Sequence, residues 1–111
     1  VLVVDDVDLF RRGLRAALTE AGFDVCGEAR DGEGAVSAAE SLQPDVVVLD
    51  ILMPGLSGLE ALEKITAAAP DAHVLLLTGS ESEEDLLAGI KAGARGYVVK
   101  DTPFEDLAGA I

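Results

Sequence analysis

Five short apolar runs alternate along this chain with five segments whose apolar residues recur at helical spacing, and that alternation limits the available folds more than any other feature. The runs are VLVV at 1–4, FDVCGEA at 23–29, DVVVLD at 45–50, HVLLLT at 73–78 and GYVVK at 96–100. The first, third and fourth are almost unbroken in apolar character, as suits strands covered on both faces. Between the runs, one helical face each is marked by Phe10, Leu14, Ala17 and Leu18; by Val36, Ala39 and Leu42; by Leu59, Leu62 and Ile65; by Leu86, Leu87 and Ile90; and by Phe104, Leu107 and Ile111. Asp8, Asp31, Ser57 and Ser82 stand where helices should begin, as caps or first-turn residues, and Gly22 and Gly93 where helices should stop.

Strand-then-helix units in succession require right-handed crossovers and a parallel sheet with helices on both faces. The expected fold is α/β, a flavodoxin-like doubly wound (βα)5 with a five-stranded parallel sheet in the order 2-1-3-4-5. In such a sheet the ligand site lies at the carboxyl ends of strands 1 and 3, where the winding reverses.

The 111 residues are enough for one core and too few for two, so residues 1–111 are read as one domain, with ends that look trimmed inside the first strand and the last helix. No apolar run approaches the roughly 18 residues a membrane span needs, and no signal-peptide pattern opens the chain, so a cytoplasmic protein is expected. A formal net charge of −13 repels phosphate backbones, which excludes direct nucleic-acid binding by this segment. The single cysteine, Cys26, is expected to be a small buried hydrophobe.

The residues that terminate the strands carry the chemistry. Asp5 and Asp6 follow the first strand, Asp50 ends the third, Thr78 the fourth and Lys100 the fifth. Alone, each has a bland explanation: an acidic pair can start a helix, a threonine can finish a strand, and a lysine at a sheet edge can be solvated. Gathered on one rim at the switch point, they make a different proposition. Three carboxylates brought together repel unless a cation neutralises them. Oxygen ligands favour a hard ion, and Mg²⁺ with retained waters and a phosphate oxygen fits the set. The sole histidine, His73, falls at the opposite edge of the sheet and is read as structural or surface. A lysine and a threonine hydroxyl beside such an ion can receive a dianionic group, which points to phosphoryl transfer onto a carboxylate.

VLVVDD, PDVVVLDILMPGLSGLE, LLLTGS and GARGYVVKD, in this order, resemble the response-regulator receiver family, and the resemblance covers the whole chain. It implies phosphorelay signalling within two-component regulatory systems, with Asp50 as phosphoacceptor from a histidine kinase. It also implies that Asp6, Asp50 and the backbone carbonyl of Leu52 ligate Mg²⁺ while Asp5 assists through water. Thr78 matches the family's switch hydroxyl, Lys100 its phosphate-binding lysine and Tyr97 its switch aromatic. From the sequence alone Tyr97 is ordinary strand packing, so its role rests on the resemblance. On this reading the chain is no turnover enzyme: it catalyses only its own phosphorylation and slow dephosphorylation.

Lys100 is followed by Asp101, with Pro103 further on, where many receivers have Lys-Pro. This resembles the LuxR-type branch, whose members usually add a DNA-binding domain, so transcription regulation through an effector domain absent from this chain is expected. Arg11, Arg12 and Arg15 form a basic cluster on the first helix, either a solvated face or a contact for the sensor kinase. The fourth helix, fifth strand and fifth helix are the candidate surface for a homodimer or an effector. Three alternatives compete: a flavodoxin-like cofactor-binding domain, which the acidic DDVDLF segment disfavours because it would repel a flavin phosphate; a phosphohydrolase, whose nucleophile would be expected after the first strand; and an interaction module that works without phosphorylation.

Overall fold

A computed structural model describes residues 1–50, 58–78, 88–91, 93–100 and 102–110. Strand β1 (Leu2–Val4) leads into helix α1 (Asp8–Glu20), β2 (Gly27–Ala29) into α2 (Gly32–Leu42), and β3 (Val46–Asp50) towards α3 (Gly58–Ala68). Strand β4 (His73–Thr78) follows, then a helical stretch at 88–91, α4, then β5 (Gly96–Val99) and α5 (Phe104–Ala110). All strand pairs are parallel and the order is β2-β1-β3-β4-β5, the doubly wound sheet expected.

The alternation of side chains along each strand builds two cores from one sheet. Leu2, Val4, Val47, Leu49, Val74 and Leu76 face one side, where α2 and α3 cover them with Ala35, Ala39, Ala61, Leu62 and Ile65. Val3, Val48 and Leu77 face the other side, beneath Leu14 and Leu18 of α1 and Leu107 of α5. Leu14 and Leu18 are fully buried, each contributing roughly 1.5–3 kcal/mol of transfer free energy. No helix among the described residues is long and apolar enough to cross a membrane.

Helix ends follow the expected chemistry. Gly22 and Gly93 take positive φ (95° and 115°) just past their helices, and the amides of Phe23 and Ala94 close back onto the carbonyls of Leu18 and Gly89. Asp31 caps α2, its Oδ1 accepting from the Gly34 amide at 2.6 Å. Asp8 is a first-turn residue: Val7 holds the cap position, with no side-chain cap bond. Ser57 and Ser82 lie outside the described residues.

Three expectations need correction. β2 is three residues long, not seven, because Phe23 and Val25 pack from the loop against the α1 side of the core before the chain joins the sheet edge. Cys26 therefore precedes the strand and is exposed, its Sγ 3.5 Å from the Val1 carbonyl. Leu42 and Ile90 are largely exposed as well; Ala35 and Ala39 carry the buried face of α2.

Gln43 ends α2 in the left-handed region (φ 46°) and its amide nitrogen donates to the carbonyls of Ala39, Glu40 and Ala68, tying the carboxyl ends of α2 and α3 together. Gln43→Ala should therefore lower the unfolding free energy by about 1–2 kcal/mol, read as a lower urea midpoint at unchanged slope.

Candidate functional site

The carboxyl ends of β1 and β3 adjoin at the point where the sheet reverses its winding, and both strands end in carboxylates. Asp5 extends the β1–β2 pairing by one residue, its amide donating to the Ala29 carbonyl at 3.1 Å. It is fully buried, and Asp50 and Thr78 are nearly so. One ligand oxygen from each of Asp5, Asp6 and Asp50 lies within 4.8 Å of the others. Asp6 is the more exposed of the three.

Each oxygen of Asp5 has a different environment. Oδ1 accepts from the Val7 amide at 2.9 Å, a local turn that fixes the carboxylate. Oδ2 has no hydrogen-bond partner but lies 2.7 Å from the Lys100 ammonium, an ion contact outside hydrogen-bond geometry. The same ammonium donates to Asp50 Oδ2 at 3.0 Å. Burial works against the charge on Lys100, but the two carboxylates outweigh it and hold its pKa above the usual lysine value.

Lys100 thus joins the fifth strand to the first and third. Its backbone amide donates to the Thr78 carbonyl at 2.8 Å, which fixes the ends of β4 and β5 side by side. Asp50 pairs in register with Leu77, so Thr78 sits one residue beyond the level of Asp50 on the same edge. Tyr97, in β5, has 50% of its surface exposed. Leu52 lies outside the described residues, as does the MPGLSG segment up to Ser57.

Among the described residues, one ammonium against three carboxylates leaves the pocket with excess negative charge. Three carboxylates whose ligand oxygens lie within 4.8 Å of one another, an all-oxygen donor set, fit a hard divalent cation.

The arginines of α1 divide between two roles. Arg11 is largely buried: Nη1 donates to the Asp5 carbonyl at 2.7 Å, Nη2 to Asp8 at 2.6 Å and Nε to Glu28 at 3.1 Å. The bond to Asp8 raises the pKa of Arg11 and lowers that of Asp8. Arg15 pairs with the other oxygen of Glu28, and Arg12 is exposed. Arg11 is therefore a brace beneath the acidic turn, which sequence patterning, grouping it with its basic neighbours, does not reveal. Its signal is Glu28, a carboxylate inside an otherwise apolar strand segment. Phe10, on the apolar face of α1, belongs only partly to the core: its ring also faces the Lys100 ammonium, 4.7 Å from centroid to Nζ.

The family model for the response regulator receiver domain matches residues 1–111. The nitrate/nitrite response regulator protein NarL of Escherichia coli is 38% identical over 112 aligned residues, covering 100% of this chain and 52% of that protein. The chain thus spans about half the length of that relative. Among solved structures, the receiver domain of the putative response regulator NarL from Mycobacterium tuberculosis superposes with a TM-score of 0.92 at 32% identity, covering 98% of this chain and 89% of that one. A chain of the CheX–CheY–BeF3–Mg²⁺ complex from Borrelia burgdorferi gives 0.91 at 29% identity, covering 97% of this chain and 82% of that one.

Proposed function

Since the chain belongs to the response regulator receiver domain family, we propose that it serves phosphorelay signalling by accepting a phosphoryl group on Asp50 from the phosphohistidine of a sensor kinase. The observation that carries this reading is the Lys100 ammonium held between Asp5 and Asp50 beside the acidic cluster. Asp50 Oδ would attack phosphorus as the histidine N–P bond breaks, leaving an acyl phosphate and a free imidazole. Mg²⁺, held by Asp6, Asp50 and the Leu52 carbonyl with Asp5 behind them, would offset the charge of the carboxylates and phosphoryl oxygens. The CheY relative with BeF3, a phosphoryl mimic, and Mg²⁺ supports that assignment by analogy.

Lys100 then has a second partner to hand: once Asp50 carries the phosphoryl group, the ammonium pairs with a phosphoryl oxygen instead of Asp50 Oδ2. Thr78 supplies a hydroxyl donor from the neighbouring strand end. Its movement towards the phosphoryl group would free space beside β5, into which the half-exposed Tyr97 turns. The face of α4, β5 and α5 is the proposed output surface, for a second copy or an effector. Arg12 and Arg15 are the arginines of α1 with exposure enough to meet the kinase. Transcription regulation is the proposed output, by analogy with the NarL relative, and it sets the proposed compartment as the cytoplasm, where the DNA would be.

The direct test incubates the wild-type chain with a small acyl phosphate donor and Mg²⁺ and takes an intact mass. One phosphoryl adduct, lost on adding chelator beforehand, is expected; no adduct under any donor concentration overturns the reading. Thr78→Ala should still take up the group but respond weakly. In amide NMR with beryllofluoride and Mg²⁺, shifts in β5 and α5 should shrink to about half or less. Equal shifts in both proteins would remove Thr78 from the switch.

A further inference from the structure

Lys100 is attracted by three groups, and one of them is not a carboxylate. Its Nζ lies over the face of Phe10 at 4.7 Å from the ring centroid, within the range where an aromatic quadrupole draws a cation. Phe10 is itself backed by Phe104, the first residue of α5, with centroids 5.3 Å apart and planes tilted by 53°. Phe104 reaches that place because residue 13 of α1 is glycine: a Cβ there would stand 2.6 Å from Phe104 Cζ. Glycine is unfavourable inside a helix, so this close approach gives it a packing reason.

We propose that Phe10 is a positioning residue whose ring face holds the Lys100 ammonium over the pocket, with Phe104, seated on Gly13, keeping the ring in place. A carboxylate binds an ammonium through directed hydrogen bonds and competes with any incoming acceptor. A ring face attracts the charge and leaves the N–H donors to whichever oxygen is present. Lys100 can therefore pivot from Asp50 Oδ2 to a phosphoryl oxygen without leaving the pocket. The function of this device rests on the reading of Lys100 as the phosphoryl-binding residue; the contact itself does not.

The test replaces Phe10 by mono-, di- and trifluorophenylalanine, which keep the ring's shape while draining its electron density. Beryllofluoride affinity in Mg²⁺ should fall stepwise across the series, by about fivefold at the trifluoro ring. Phe10→Tyr should stay close to wild type, whereas Phe10→Leu should lose about as much as the trifluoro ring. A flat fluorine series, with or without a loss in Phe10→Leu, reduces Phe10 to ordinary packing and overturns the proposal. A second readout needs neither metal nor mimic. The ε-methylene protons of Lys100 should resonate upfield of the other lysines in the metal-free protein and return to the common position in Phe10→Leu; an unshifted wild-type signal also overturns the proposal. Lys100→Met separates the two ideas: if it leaves beryllofluoride affinity unchanged while the upfield signal is present in wild type, the phosphoryl-binding reading of Lys100 fails and the contact stands.

Discussion

Asp50→Asn should fold as wild type does and take up no phosphoryl group from either an acyl phosphate or a kinase. The amide matches the carboxylate in shape but lacks the anionic oxygen that attacks phosphorus. Because the change removes one of three clustered carboxylates, the variant should be at least as stable as wild type in the absence of divalent cations. Intact mass and peptide mapping check the chemistry, and thermal melting checks the fold. Modification of the variant at the wild-type rate would move the acceptor elsewhere.

Lys100→Met should destabilise the metal-free protein by about 2–3 kcal/mol. Removing one partner of a fully buried ion pair costs about 3–5 kcal/mol, because the other charge is left uncompensated. The figure is reduced here because the Lys100 side chain keeps 20% of its exposure while Asp5 and Asp50 keep almost none. The folded protein raises the pKa of Lys100, so its contribution is fully present below the unfolded lysine value of about 10.4 and is lost as pH rises through the higher folded value. The stability gap between wild type and variant should be flat across neutral pH and close only in strong alkali. Millimolar Mg²⁺ should raise the melting temperature of the variant more than that of wild type, since the ion then replaces the missing positive charge. Equal shifts would separate the acidic cluster from the lysine.

The sheet was legible because β1, β3 and β4 are buried on both faces and must be apolar throughout. β2 was overread for a related reason. Phe23 and Val25 are apolar because they cover the core from a loop, and apolarity alone does not distinguish such a residue from a strand residue. Leu42 and Ile90 fit the helical spacing yet keep 45% and 42% of their surface exposed; in α2 the small residues Ala35 and Ala39 are the ones fully buried against the sheet. Asp5, Asp6, Asp50 and Lys100 converge as their strand-terminal positions imply, because a parallel sheet puts all its carboxyl ends on one edge. What surrounds them was not legible. Arg11 and Phe10 act across gaps between α1 and other elements, and such contacts depend on helix rotation and rotamer, which have no period in sequence. Leu52 lies outside the described residues, so its role is the one the resemblance implies.

The pairing of Lys100 with Asp50 spans 50 positions of chain, and Asp5 comes from near the opposite end of the chain. Contacts at that separation carry a loop-closure cost, so the carboxylates are expected to meet late in folding, when most of the sheet has assembled. Their repulsion is then nearly absent from the folding transition state and is felt by the finished protein. In kinetic language the acidic pocket is a load on the native side of the barrier, which hastens unfolding and leaves the folding rate almost untouched. Stopped-flow chevrons with and without Mg²⁺ should differ in the unfolding arm, with the ion slowing unfolding, while the folding arms superpose.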